Sequence, residues 1–546
     1  MRINRSTFAR TAPAALGGLL SGYAALAVAE LVSAAVRPGA GPVTAVGGAA
    51  VDRTPAALKD WAVRHFGTDD KLVLQLGIVA TLGLLAVALG LLALRHRRTG
   101  SAGVLLFGAV GGAAAVTRPD STGLTDALPS LAGALAGAGL LYALIGTLRA
   151  GRPPAARAAV RDPGEGPAPA EPAPVPDPAA PAPWWDRRRF LAVAGAGVLV
   201  STAGGALGRR LNSGRGRDAA AGREAVRLPA PASPAAPVPR GASPRVPGIS
   251  PFTTPNADFY RVDTALVVPK VSAGTWRLRL HGKGVRGPRT YTYAELLGRD
   301  LIERDITLTC VSNEVGGPYT GNARWLGVRL ADLLREAGVR PPSQGGPADQ
   351  LVARSVDGMT LGSPVEEVMD GRDAMLAVGM NGEPLPFAHG FPVRMLVPGL
   401  YGYVSACKWI QDIELTTFDS YDPYWVKRNW ARRAPVKTQA RIDTPKPFAR
   451  LTAGPVTVAG VAWAQHRGID RVEVRVDEGP WRDADLAVED TADTWRQWSW
   501  RWQADPGGHT LTVRATDRTG TTQTEERTRT IPDGASGRHS VVVGVD

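Results

Sequence analysis

Cys310 closes an alternating run, Asp305-Ile306-Thr307-Leu308-Thr309-Cys310, that predicts a strand with Ile306, Leu308 and the thiol on one face. Val311-Ser312-Asn313 then leaves that strand. A thiol facing inward at a strand end reads as a small buried hydrophobe or, once deprotonated, as a soft ligand for a transition metal. One thiolate is not a metal site, and no His/Cys cluster with zinc spacing accompanies it. The other cysteine, Cys407, lies far along the chain, and two cysteines do not make a disulfide framework even where export permits one. The seven histidines, at 65, 96, 281, 389, 466, 509 and 539, all fall outside the long apolar segments. A transmembrane b-type haem therefore finds no axial ligands, and no Cys-x-x-Cys-His offers a covalent one. Any redox chemistry here needs a separate electron-transfer partner, either a protein or a diffusible carrier.

The sequence around Cys310 adds a second line of reasoning. Thr307–Asn313, followed by Gly321-Asn322-Ala323-Arg324-Trp325-Leu326-Gly327-Val328, resembles the molybdopterin-binding core of the sulfite oxidase family. So does His389-Gly390-Phe391-Pro392-Val393-Arg394, which continues through Pro398–Tyr403 to Lys408-Trp409. Pro255-Asn256-Ala257-Asp258-Phe259-Tyr260-Arg261 resembles that family's entry motif, and the blocks occur in the family's order from about Ile249 to Pro532. The resemblance implies a molybdenum–molybdopterin cofactor, with Cys310 as metal ligand and catalytic centre. It places Asn256, Phe259, Tyr260, Asn313 and Arg324 beside the cofactor. His389 and Arg394 match the pair that grips the pterin and its phosphate, with Lys408 after the Gly-Tyr loop. Charge-assisted bonds from Arg and Lys to a phosphate suit that role, and Gly399 and Gly402 let the backbone approach a ligand.

Departures from the family pattern bear on substrate. No arginine follows Cys310 closely, because Val311-Ser312-Asn313-Glu314 stands there. Asp357-Gly358-Met359-Thr360-Leu361 occupies the place where a substrate-pocket tyrosine is sought, which leaves Thr360 as the cofactor or pocket contact. Cys407 replaces a small residue beside Lys408 and reads as packing. The expected activity is two-electron oxygen-atom transfer on a small-molecule substrate outside the cytoplasm. Its rivals are sulfite oxidation proper and a cofactor-free β-sandwich interaction module.

These residues need a frame. A chain of 546 residues exceeds a single core, and its net charge of +13 is unevenly placed. Residues 1–250 hold 27 Lys/Arg against 14 Asp/Glu, whereas residues 251–546 hold 36 of each. The excess follows the apolar segments, as the positive-inside bias of membrane proteins requires, and no nucleic-acid partner is expected. Four apolar stretches, Ala12–Val36, Leu72–Leu94, Ala102–Thr117 and Leu128–Leu148, predict spanning helices within a 1–150 anchor. Arginines 2, 5 and 10, then 95, 97 and 98, then 149, 152, 157 and 161 all share one side if the N-terminus is cytoplasmic.

A Pro/Ala-rich linker fills 151–186. Arg187-Arg188-Arg189-Phe190-Leu191 opens an apolar run at 187–208, which reads as a fifth span or as an internal twin-arginine-like export signal. Either reading puts the remainder outside. Residues 209–250 read as a flexible linker. Residues 251–440 mix short strands with helices such as Leu330–Ala337, ended by Gly338. Residues 441–532 are strand-like, with valines 472, 474 and 476, tryptophans 498, 500 and 502, and Leu511, Val513 and Ala515 alternating. Residues 533–546 are left as a tail.

The expected fold is therefore multi-domain: an α-helical membrane anchor, an α+β sulfite-oxidase-type molybdopterin domain, and a C-terminal immunoglobulin-like β-sandwich. The resemblance makes that sandwich the family's dimerisation-type domain, so a homodimer is expected through it. Replacing Arg187 and Arg188 together by Lys is expected to leave the folded second half on the cytoplasmic side. Undiminished protease accessibility from outside would instead identify an ordinary fifth span.

Overall fold

The computed structural model describes residues 5–54, 58, 65–66, 70–149 and 186–546, so the Pro/Ala-rich linker lies outside the described residues except for Asp186. The chain divides into two compact units, Met1–Gly214 and Arg215–Asp546. In chain order the long helices are α1 (Arg5–Ala35), α2 (Pro42–Arg53), α3 (Asp70–Arg95), α4 (Arg97–Thr117), α5 (Leu128–Arg149) and α6 (Arg187–Ala225). Among the described residues, five helical segments are long and apolar enough to cross a membrane: Thr11–Ala35, Lys71–Arg95, Arg97–Thr117, Leu124–Arg149 and Arg187–Ala225. Each of the five expected spans has its counterpart. The short α2 falls in the connection between the first two apolar stretches.

Helices that cross lipid gain little from hydrophobic contact with each other, so small residues must bring their backbones close. Gly137 of α5 sits against α1, where Ser21 Oγ donates to the Gly137 carbonyl at 2.6 Å. A Cβ there would come within 2.8 Å of the Ser21 carbonyl oxygen. The same device docks α6 on α1, since a Cβ at Gly208 would lie 2.7 Å from the Leu31 backbone. Polar contacts fix that register: Tyr23 and Thr202 hydroxyls are 3.0 Å apart, and Asn212 Nδ2 donates to Glu30 Oε1 at 2.8 Å.

The structure differs from the flexible linker expected at 209–250. α6 runs on to Ala225, because Arg, Ala, Leu and Glu dominate up to the first proline at 229 and all favour helix. Its 39 residues make a rod about 58 Å long. The prolines after it prevent regular pairing, yet the chain is held as an extended strap. Ser233 bridges Leu301 and Glu303, Arg324 reaches the Ala236 carbonyl, and Thr254 N–H donates to the Asn322 carbonyl.

The second unit begins with two sheets. Their strands are β1 (Arg277–Gly282), β2 (Arg289–Thr292), β3 (Leu301–Thr309), β4 (Thr320–Arg329), β5 (Gln350–Ser355), β6 (Thr360–Pro364), β7 (Met375–Met380), β8 (Glu383–Pro384), β9 (Arg394–Leu396) and β10 (Ile410–Thr416). One sheet runs β2-β1-β10-β5-β6; the other runs β3-β4-β7-β8, with β9 also on β7. The short helices α7 (Tyr293–Leu297), α8 (Leu330–Glu336), α9 (Val365–Met369) and α10 (Gly402–Ser405) complete this part. α8 stops just before Gly338, whose φ of 88° supplies the left-handed turn expected there.

The sandwich follows with β11 (Gln439–Thr444), β12 (Arg450–Leu451), β13 (Gly454–Trp463), β14 (Ile469–Val476), β15 (Arg482–Asp483), β16 (Asp485–Leu486), β17 (Arg496–Ala504), β18 (Gly507–Asp517) and β19 (His539–Val545). Sheets β11-β13-β17-β16 and β12-β19-β18-β14-β15 face each other. Val472, Val474, Trp498, Trp502, Leu511, Val513 and Ala515 fill the space between them, as their alternation requires. The expected tail at 533–546 is corrected by β19, an inner strand paired along Thr510–Val513 whose Val541 and Val543 are core residues. Val541-Val542-Val543 was too short and too close to the end to register as alternation.

The α1–α6 docking makes a measurable claim. With Ala27 and Gly205 both changed to Cys, oxidation should cross-link α6 to α1, because a Cβ at 205 would lie 3.2 Å from that of Ala27. Adding Gly208→Leu should abolish the cross-link, since overpacking a tight contact costs about 1–3 kcal/mol. Persistent cross-linking in the Leu variant would mean that the helices do not meet at Gly208.

Candidate active site

β3 delivers Cys310 to the end of a closed loop. Cys310 N–H donates to the Tyr319 carbonyl at 2.9 Å, Asn313 N–H donates to the Cys310 carbonyl at 3.0 Å, and Asn313 Oδ1 accepts from Tyr319 N–H at 2.7 Å. Asn313 therefore shapes the loop rather than presenting its amide outward. The Cys310 side chain is buried, and that burial raises the thiol's pKa against the opposing pull of Ser312 hydrogen bonds and of Lys408. Without a metal cation to hold the thiolate, the neutral thiol is favoured.

Around Cys310 the structure gathers most of the residues expected there. Phe259 stacks on Tyr260 with ring centroids 5.2 Å apart, and meets Trp325 and His389 edge-on at 5.9 and 5.6 Å. The Tyr260 phenol is pushed up by burial and by nearby Cys310, so it stays protonated and able to donate. Asn256 is spoken for: its Nδ2 donates to Glu383 Oε1 at 2.6 Å and its Oδ1 accepts from Asn381 at 2.9 Å. Its carbonyl lies 3.0 Å from His389 Nε2. A carbonyl only accepts, so Nε2 carries the proton and Nδ1 keeps its lone pair. Burial, then the charge of Arg394, lowers the His389 pKa to about 4, which keeps this imidazole neutral.

Arg394 is the decisive group. Its side chain is buried, it lies over the Trp325 ring at 5.0 Å, and its NH1 donates to the His389 carbonyl at 3.2 Å. Its Nε has no hydrogen-bond partner among the described residues. Burial lowers its pKa to about 10, which still leaves a cation at neutral pH. Among the described residues no carboxylate pairs with it, and an unpaired buried charge costs several kcal/mol. The missing partner is an anion, so the donor set fits the phosphate-bearing pterin that the sequence implied. Gly390, at φ 110°, lets this loop pass Lys408, because a Cβ would come within 3.1 Å of the Lys408 Cα. Lys408 Nζ meets Asp263 Oδ2 at 2.9 Å and lies 4.6 Å from the centre of the Trp409 ring.

Two expected contacts lie elsewhere. Arg324 is in register with Asp305 across β3 and β4 and pairs with it at 2.6 Å. Strand alternation puts both on the face opposite Ile306, Leu308 and Cys310. The Thr360 hydroxyl accepts from Tyr424 N–H at 3.0 Å, which makes it a brace for that loop. Sequence reading missed Asp263 and Asp357. Asp263 follows the entry motif by two residues, a position that could have drawn notice. Asp357 has its pKa raised by burial, against the pull of Ser355 and Lys408; nothing in a Val-Asp-Gly turn signals this.

Comparison with known proteins points to the same cofactor class. Residues 265–425 match the family described as oxidoreductase molybdopterin binding domain, and residues 439–513 match bacterial Ig domain. Mitochondrial sulfite oxidase of Mus musculus is 31% identical over 290 residues, covering 46% of this chain and 52% of that protein. Sulfite oxidase of Gallus gallus is 32% identical over 290 residues, covering 46% and 62%. Nitrate reductase [NADH] 1 of Oryza sativa subsp. japonica is 33% identical over 201 residues, covering 33% and 22%. The sulfane dehydrogenase SoxCD structure from Paracoccus pantotrophus aligns with TM-score 0.47 at 24% identity, over 55% of this chain and 84% of that one. The chain spans about half the length of the mammalian relatives it matches.

Arg394→Ala should lose more bound pterin than Arg394→Lys, since lysine keeps the charge but not the planar fork. Each charged hydrogen bond is worth about 1.5–3 kcal/mol, so purified alanine protein should be partly empty when pterin and molybdenum are assayed per chain. Full occupancy in both variants would place Arg394 outside the cofactor's contacts.

Proposed function

Because the chain belongs to the sulfite oxidase family of molybdopterin oxidoreductases, we propose that it performs two-electron oxygen-atom transfer on a small molecule outside the cytoplasm. The observation that carries this reading is the buried Arg394 guanidinium, which lacks an anion and is grouped with Tyr260, His389 and the Cys310 thiol. When bound, the molybdenum–pterin group supplies the oxygen-atom and two-electron chemistry. Cys310 would hold the metal as thiolate. Arg394 and Lys408 would supply charge-assisted hydrogen bonds to the phosphate, and the lone pair of His389 Nδ1 would accept a hydrogen bond from the pterin. Tyr260, kept protonated, would donate a hydrogen bond near the thiolate. The five apolar helices and the Arg clusters beside them support a membrane-anchored chain with its N-terminus inside and its second half outside. Electrons pass to or from a separate carrier.

The substrate reading follows from the same face. No arginine follows Cys310, Arg324 points to the other side with Asp305, and the Thr360 hydroxyl is engaged. A sulfite dianion needs a basic pocket to offset its desolvation, whereas a sulfoxide is neutral. We therefore favour sulfoxide reduction, in which the S–O bond breaks, two electrons and two protons are taken up, and the oxygen leaves as water. Sulfite oxidation is the second reading, favoured by the identity to sulfite oxidases.

Protein made in a cofactor-competent host should contain one molybdenum and one pterin per chain; its absence would sink the first reading. Loaded protein should reduce sulfoxides with a reduced dye faster than it oxidises sulfite with an artificial acceptor. Rapid, saturable sulfite turnover with little sulfoxide reduction would establish the second reading instead.

A further inference from the structure

β3 carries Cys310 but stands at the edge of its sheet, with β4 on one side only. Its open side needs hydrogen-bond partners. Near Leu301 the strap at Ser233 supplies them. Near Cys310 they come from the sandwich. Thr307 N–H donates to the Asp493 carbonyl at 2.9 Å, Gln465 Nε2 donates to the Thr307 carbonyl at 3.1 Å and to Thr309 Oγ1 at 2.9 Å, and Trp495 N–H donates to Thr307 Oγ1 at 2.7 Å. The loop beyond Cys310 is held from the same side, because Arg441 NH1 donates to the Gly317 carbonyl at 2.9 Å.

We propose that the C-terminal sandwich positions the metal-ligand strand, with Gln465 as the positioning residue that sets the direction of the Cys310 thiolate. This rests on Cys310 binding molybdenum as proposed above. Gln465 is 1% exposed, and its Oε1 has no hydrogen-bond partner among the described residues. A buried amide left half-satisfied is a poor choice for stability alone. Its donor serves both residues that flank the inward-facing Leu308, one step before the thiol. The same loop packs on the glycine turn ahead of α10: a Cβ at Gly399 would lie 3.0 Å from His466 Cβ and 3.4 Å from the Gln465 carbonyl oxygen. Gln465 therefore lies between β3 and the segment leading to Tyr403 and Lys408.

The test uses the full chain in two states. In the cofactor-free state, Gln465→Leu keeps apolar volume and removes the donor, so amide hydrogen exchange over 307–310 should quicken by about five- to tenfold. In the loaded state, its thiolate-to-molybdenum charge-transfer band and molybdenum(V) electron paramagnetic resonance should shift with molybdenum content unchanged. Val543→Ala is the control, because Val543 belongs to the sandwich core, a cluster separate from the one that holds Ile306 and Leu308 of β3. That variant should lower the melting temperature and leave both signals as in the unaltered protein. Equal shifts in both variants, or none in Gln465→Leu, would overturn the proposal. If the unaltered protein binds no molybdenum, the functional reading fails, while unchanged exchange in Gln465→Leu would separately refute the clamp.

Discussion

An edge strand that ends in a buried thiol is a constraint the rest of the second unit has to meet. β3 has backbone donors and acceptors that β4 cannot reach, and burying them unpaired is not tolerated. Two stretches with little in common in the sequence solve the problem together. The proline-rich strap closes the first half of the edge at Ser233. Loops of the sandwich close the second half at Asp493, Gln465 and Trp495. The β-sandwich is therefore continuous with the catalytic framework rather than appended to it.

The same strand pair sorts charge by face. Outward, Asp305 and Arg324 form an ion pair, while Thr307 and Asn322 share a buried hydrogen bond at 3.0 Å. Inward, Ile306, Leu308, Ala323 and Trp325 build an apolar floor, and the Arg394 guanidinium lies over it unpaired. A low-dielectric floor strengthens what that cation can do for an anion and makes its solitude expensive. Lys408 differs, because Asp263 already balances it at 2.9 Å. The two cations that sequence motifs treat alike thus differ in their need for a ligand.

Much of this was legible in the sequence because its signals are local. Period-two alternation gave β3, β14, β17 and β18, and apolar length gave the five candidate spans. The resemblance of the motifs to the sulfite oxidase family implied Cys310, Phe259, Tyr260, His389 and Arg394, which the fold gathers. What stayed hidden depends on tertiary partners. Arg324 shares a motif with Asn322 and Ala323, but its direction follows from strand register, and Asp305 claims it. Residues 209–250 look like a linker by composition; their order comes from docking against surfaces that composition does not report. β19 has only seven residues, and its place inside a sheet depends on β18 and β12.

The partners of β3 also impose an order in time. Thr307 waits for Gln465, 158 residues further on, and for Trp495, 188 residues further on. At a synthesis rate of about 5–20 residues per second, that delay is roughly 10–40 s. Throughout it the nascent strand has an uncovered edge beside the Cys310 thiol, a template for mispairing with other chains. A ribosome-bound intermediate can fold the strap and β4 against β3, but it cannot complete the surroundings of Cys310. If Cys310 takes the metal as proposed, metallation follows synthesis of the sandwich, and any factor that shields the growing chain has to let go only then.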